Sequence, residues 1–199
     1  MSFKRHINAH LVRWKTSNNR KPLVLRGARQ VGKTTLVKDF SKTYKHSILL
    51  NLEKSKDARF FEDYEEVNTI KEALFFECNI SGSEIDNTLL FIDEIQESPK
   101  AIQLLRYFYE ELPQLHVIAA GSLLEFAMRF VKSFPVGRIE YLYLYPLNFS
   151  EFLLALGKEQ AFNELNHIPV KNFTHKTLID LFNAYTIIGG MPEIVQTYC

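Results

Sequence analysis

Two cysteines, Cys78 and Cys199, are all that the 199 residues contain. They stand far apart and share no metal-type spacing. That excludes a disulfide-stapled secreted scaffold and points to a reduced, cytoplasmic protein. There is no excess of either charge: 24 Lys and Arg against 23 Asp and Glu leave a net +1. No global basic field marks a nucleic-acid binder, so a nucleic-acid partner stays open only as a local patch. No run approaches about 18 uninterrupted apolar residues, so no membrane-spanning helix is expected. The first 15 residues, MSFKRHINAHLVRWK, are interrupted by charges and lack a signal-peptide core. Internal repeats and low-complexity segments are absent, and arginine is missing from residues 150–199. What remains is 46% apolar and 24% charged, a soluble globular composition. The length suits one α/β domain with a sizeable core and a small appendage.

Residues 27–34 read GARQVGKT and follow the apolar run of residues 22–25. The pattern G-x-x-x-x-G-K-[ST] is that of a phosphate-binding P-loop. Gly27 and Gly32 let backbone N–H groups curl closely round phosphates, and Ala28, Arg29, Gln30 and Val31 complete the loop. Lys33 places a point charge on the β/γ-phosphates, and the Thr34 hydroxyl is a ligand for Mg²⁺. From Thr35 to Phe40 the chain reads as a helix whose positive N-terminus faces the anion.

Phe3, Ile7, Leu11 and Trp14 form a helical stripe over residues 3–16. His6 and His10 stand four apart on it; without an acidic partner nearby they read as a solvated face rather than a metal pair. A polar linker, residues 16–21, leads to a first strand at 22–26. The P-loop helix runs to about residue 44, and residues 47–52 read as a buried second strand. Residues 57–79 are helical in pattern, and 81–83 form a turn. Strands follow at 88–92, 115–120 and 140–145. Pro99 opens a helix, and residues 148–157 and 174–188 read as helices. Alternating strands and helices predict a parallel sheet covered on both faces, with ligands beyond the carboxyl ends of its strands.

The strand at 88–92 runs into Asp93 and Glu94. An apolar strand ending in Asp is the Walker B pattern, in which the Asp holds the Mg²⁺ shell. The adjacent Glu94 can polarise an attacking water, which points to hydrolysis rather than phosphate transfer to a small molecule. Ser122 ends the fourth strand. With that strand inserted between the first and third, its hydroxyl would reach the γ-phosphate or the water; alternatively it caps a helix over residues 123–130. Arg138, before the fifth strand, is either a γ-phosphate contact, made in cis or from a neighbouring subunit, or a surface arginine at a strand start.

Together RGARQVGKTTL at 26–36, LLFIDEIQESP at 89–99, AAGSLLEF at 119–126, GRIEYLYLYPLNFSEFL at 137–153 and GGMPEIV at 189–195 resemble the AAA_14 group of AAA-type P-loop ATPases, related to the signalling NTPases with numerous domains. The resemblance implies a RecA/AAA-like five-stranded parallel sheet of order 5-1-4-3-2 with a helical C-terminal tail. It also implies ATP and Mg²⁺, metal ligands Thr34 and Asp93, and catalytic roles for Lys33, Glu94 and Ser122. Arg138 matches the family's GR position. Three segments are expected: an N-terminal helix (1–20), an ATPase core (21–147) and an incomplete helical lid (148–199). Such chains usually continue into a further C-terminal region, so the expected partner is that region or another protein, with homo-oligomers admitted. A slowly turning nucleotide switch is the second expectation, set back by the presence of Glu94. A small-molecule kinase comes third, because the tail has no arginine lid. Base specificity is not readable from these residues; adenine rests on the family likeness alone.

Overall fold

An apolar run without polar alternation is the pattern of a strand covered on both faces. Thr88–Asp93 is such a run, and it forms a fully buried strand in the computed structural model, which describes residues 3–122 and 137–199. In chain order the strands are β1 (Leu23–Arg26), β2 (His46–Asn51), β3 (Thr88–Asp93), β4 (His116–Gly121) and β5 (Glu140–Tyr143). They form one sheet of order β2-β3-β4-β1-β5, with every pairing parallel. That is the expected 5-1-4-3-2 order read from the other side. Because the strands are parallel, Arg26, Asn51, Asp93, Gly121 and Tyr143 all end at one edge.

The side-chain period of two sorts the sheet into two cores. Leu23, Leu25, Leu89, Phe91, Ile118 and Ala120 face α1 (Asn8–Lys15) and α2 (Lys33–Ser41), where Leu11, Trp14, Val37 and Phe40 meet them. Val24, Ile48, Leu50, Leu90, Ile92 and Val117 face the other way. They are covered by α3 (Ser55–Asp63), α4 (Val67–Glu77) and α5 (Pro99–Glu111), through Phe61, Ile70, Leu74, Leu105 and Phe108. Pro99 does open α5, and the Ser98 hydroxyl caps it by accepting from Ala101 N–H.

Two expectations change. The second strand is not buried throughout: Ile48 and Leu50 point inward, while Ser47 and Leu49 face solvent, as an edge strand allows. The helix expected over 57–79 is two helices, broken where Tyr64 and Glu66 take extended backbone. One straight helix of that length would run about 35 Å, far past six-residue strands of about 20 Å. Two short helices each lay an apolar face on the sheet. The helix expected over residues 123–130 falls outside the described residues.

After β5 come α6 (Phe149–Ala155), α7 (Glu159–Glu164), α8 (Asn172–Ile188) and α9 (Pro192–Tyr198). Asn148 and Glu151 form a capping box at the start of α6. The turn before α9 docks against the turn before α6: Leu147 N–H donates to Gly190 O at 2.7 Å, and Tyr185 OH donates to Leu147 O at 2.9 Å. Leu147, Phe152 and Val195 are buried beneath this junction. Among the described residues no helix is long and apolar enough to cross a membrane.

Candidate nucleotide site

The carboxyl edge of the sheet opens into a cavity of about 600 Å³. Its floor is the loop between β1 and α2. Gly27 has φ +155°, and a Cβ there would lie 2.2 Å from Leu144 O of the neighbouring segment. Gly32 has φ +92° and immediately precedes α2. Gly27 is demanded by that close approach, and Gly32 by a left-handed backbone that strains any other residue. Arg29, Gln30, Thr34 and Thr35 line the cavity. Val31 does not: its side chain is fully buried in the core below the loop.

Lys33 is almost enclosed, and its ammonium donates to Gly27 O at 2.9 Å and Ala28 O at 2.8 Å. Burial lowers its pKa; the nearby Glu94 and Asp93 oppose that shift. A charged lysine held by loop carbonyls beside two carboxylates is poised to attract an anion. Asp93 ends β3 and is buried. Burial raises its pKa, and a hydrogen bond from the Thr34 hydroxyl to Oδ2, at 2.7 Å, counters this. Thr34 and Asp93 are thus brought together from two elements, as hard oxygen donors suited to Mg²⁺.

Glu94 follows in a left-handed conformation, φ 51° and ψ 45°. The turn swings its carboxylate into the cavity, where Gln96 Nε2 donates to Oε2 at 2.6 Å. Ser122 sits just past β4, between the ends of β1 and β3. Its hydroxyl lines the cavity, is buried, and has no hydrogen-bond partner among the described residues. A buried hydroxyl without a partner can still bond a ligand or water.

Arg138 is, with Val31, an expected site residue that the fold does not bring to the cavity. β5 runs parallel to β1, and Glu140 N–H donates to Pro22 O at the amino edge of the sheet. Arg138 precedes that point and pairs with Glu110 Oε1 of α5 at 3.2 Å. The cavity lies at the opposite edge, so the contact expected in cis is not made by this chain; the placement leaves only a contribution to a neighbouring subunit, or the plain surface role.

Other walls went unread in the sequence. The N-terminal arm supplies Phe3, Arg5 and Asn8, and α9 supplies Pro192, Glu193 and Gln196. Pro192 comes from the GGMP stretch and stands over the loop, 3.8 Å from where a Gly32 Cβ would be. Its motif was visible; its distance from the loop in sequence hid its place.

The sequence model of a family described as an AAA domain, AAA_14, matches residues 19–153. No curated protein matches the chain. Among solved structures, a chain of Drosophila ORC bound to DNA shares 18% identity at a TM-score of 0.58, over 95% of this chain and 58% of that one. The present chain therefore spans little more than half of that protein's length, and at this identity the likeness concerns the fold.

Proposed function

The chain belongs to the AAA_14 family of AAA domains, and on that premise we propose that it binds ATP with Mg²⁺ in this cavity and hydrolyses it, driving or switching an attached or partner domain. The observation that carries the reading is the 2.7 Å contact between Thr34 and Asp93, beside Lys33 and Glu94. The residues fit the group they would hold. The glycine loop leaves room for phosphates, and Thr34 and Asp93 are the donors a small hard cation takes. Bound there, Mg²⁺ would offset the phosphate charge. Lys33 supplies the fixed positive charge and Ser122 a donor at the far end of the phosphate chain. Glu94 orients a water and takes its proton. The base would lie between the N-terminal arm and α9, against Phe3 and Pro192. Two free cysteines fit work in a reducing cytoplasm.

A slow switch is the second reading, favoured by the bond from Gln96 to Glu94, which engages the carboxylate that should orient water. Equilibrium titration with a labelled ATP analogue and a turnover assay separate the two. Lys33→Ala should abolish binding; unchanged affinity would sink the site. Glu94→Gln should keep binding and lower turnover by roughly 10²–10⁴-fold. Gln96→Leu should raise turnover only if the switch reading holds. Repeating the assay with nucleic acid, and across protein concentrations, tests partner and self-assembly.

A further inference from the structure

Arg5 lies outside every motif, yet its guanidinium gathers three segments. Nη1 donates to Val31 O of the loop at 3.2 Å, Nη2 donates to Tyr145 O beyond β5, and Nε stands 3.2 Å from Glu151 Oε1 on α6. The two charged side chains are 8% and 6% exposed. Glu151 is itself fixed: Oε1 accepts His6 N–H at 2.8 Å and Oε2 accepts Asn148 N–H at 3.2 Å. We propose that Arg5, anchored by Glu151, is a positioning residue that sets the phosphate loop and couples it to the helices after β5.

A peptide group is planar and trans, so its carbonyl and the next N–H point opposite ways. Holding Val31 O from outside the loop therefore fixes the direction of the Gly32 N–H. Gly32 has a left-handed backbone and would otherwise be the loosest point of the cradle. The guanidinium is a rigid planar fork, so its three contacts move as one body. Any shift of α6 that displaces Glu151 drags the fork, and the fork drags Val31. The same helix joins α9 through Leu147, Phe152 and Val195. α9 in turn places Pro192 over the loop. Loop and helical tail are thereby linked along two routes that meet at α6. Two opposite charges this enclosed are costly unless well paired, and one left alone would be costlier still. A rearrangement should therefore carry both groups together.

The proposal rests on the ATP-binding reading for its ligand, but its first test needs none. Amide hydrogen exchange in the ligand-free protein should rise by about tenfold at residues 27–35 in Glu151→Gln, although the substitution sits on α6. Glu151→Asp, which keeps the charge and shortens the reach, serves if the first variant does not fold. In the second test a non-hydrolysable ATP analogue should protect residues 149–155 and 192–198 in the wild type. In Glu151→Gln, which removes the anchor and leaves every residue of the cavity wall in place, binding should persist while that protection is lost. Unchanged loop exchange in a destabilised Glu151 variant, or full protection of both segments in Glu151→Gln, would reduce the pair to a local staple and overturn the coupling. A wild type that binds no analogue would overturn the ATP reading instead, and the ligand-free exchange would still decide the link.

Discussion

Gly190→Ala tests how the helical tail is held against the site. A Cβ at this position would lie 1.9 Å from Leu147 O and 2.9 Å from Leu147 N and C, all of them backbone atoms. No side chain can swing aside to relieve the clash. Leu147 is also fully buried and bonded twice, through its N–H to Gly190 O and its carbonyl to Tyr185 OH. Parting the strands of this junction forfeits a backbone hydrogen bond and leaves its groups unpaired, at about 1–3 kcal/mol. Forcing the methyl into place instead costs about 1–3 kcal/mol of overpacking. Against this, α9 holds on by one buried side chain, Val195, worth about 1.5–3 kcal/mol, and by the stacking of Tyr198 on Phe152. The terms are close, so the cheapest relief is to release α9 rather than unfold the sheet. Release removes Pro192, Glu193 and Gln196 from the cavity. The expected result is weaker nucleotide binding and faster amide exchange over 192–198, with the main thermal transition nearly unmoved. Had the strain fallen on the whole fold, about 3 kcal/mol would lower Tm by roughly 6–12 °C in a chain this size. The control is Gly82→Ala, where a Cβ meets nothing within 4 Å and the change should stay within about 0.5 kcal/mol. A Gly190→Ala protein with wild-type exchange, affinity and Tm would refute the docking argument.

Three further outcomes follow from the same geometry. Burial raises the Asp93 pKa above its unfolded value, so the ionised carboxylate opposes folding at neutral pH; Asp93→Asn should raise the Tm of the ligand-free protein at pH 7, the gain shrinking as pH falls through the Asp93 pKa. The same variant should lose the Mg²⁺-dependent part of the Tm shift given by an ATP analogue. His116 is held neutral, its pKa pushed down to about 3 by burial, with Arg20 and Lys15 adding to the shift. The unfolded chain takes a proton near 6.5 that the folded one refuses, so stability should fall below pH 6 by up to about 1.4 kcal/mol per unit; urea unfolding of His116→Gln at pH 7, 6 and 5 should show a flatter slope, and an equal slope would clear His116. If Arg138 serves a neighbouring subunit, specific activity should rise with protein concentration, and mixing Arg138→Ala with Lys33→Ala should recover some of it. Wild-type turnover in Arg138→Ala would leave it a surface partner of Glu110.

What was legible in the sequence and what was not divide along a physical line. The strands β1, β3 and β4 show as apolar runs because both faces are covered, and the loop shows because its glycines cannot be replaced. The strand order came with the family likeness, since apolar runs say nothing about who pairs with whom. The helices α7 and α9, of six and seven residues, are too short to carry a stripe. Arg5 could not be found at all: it stands in no pattern, and its partner Glu151, although inside the 137–153 stretch, is 146 positions away. Arg138 is different, because its misplacement was avoidable. In a parallel sheet, residues that follow a strand lie at the carboxyl edge and residues that precede one lie at the amino edge. Gly27 follows β1, Asp93 and Glu94 close and follow β3, and Ser122 follows β4, so all stand at the edge where the cavity opens. Arg138 precedes β5 and so belongs to the other edge. The same rule also reaches a residue that no motif flagged: Glu53 follows β2, and it lines the cavity.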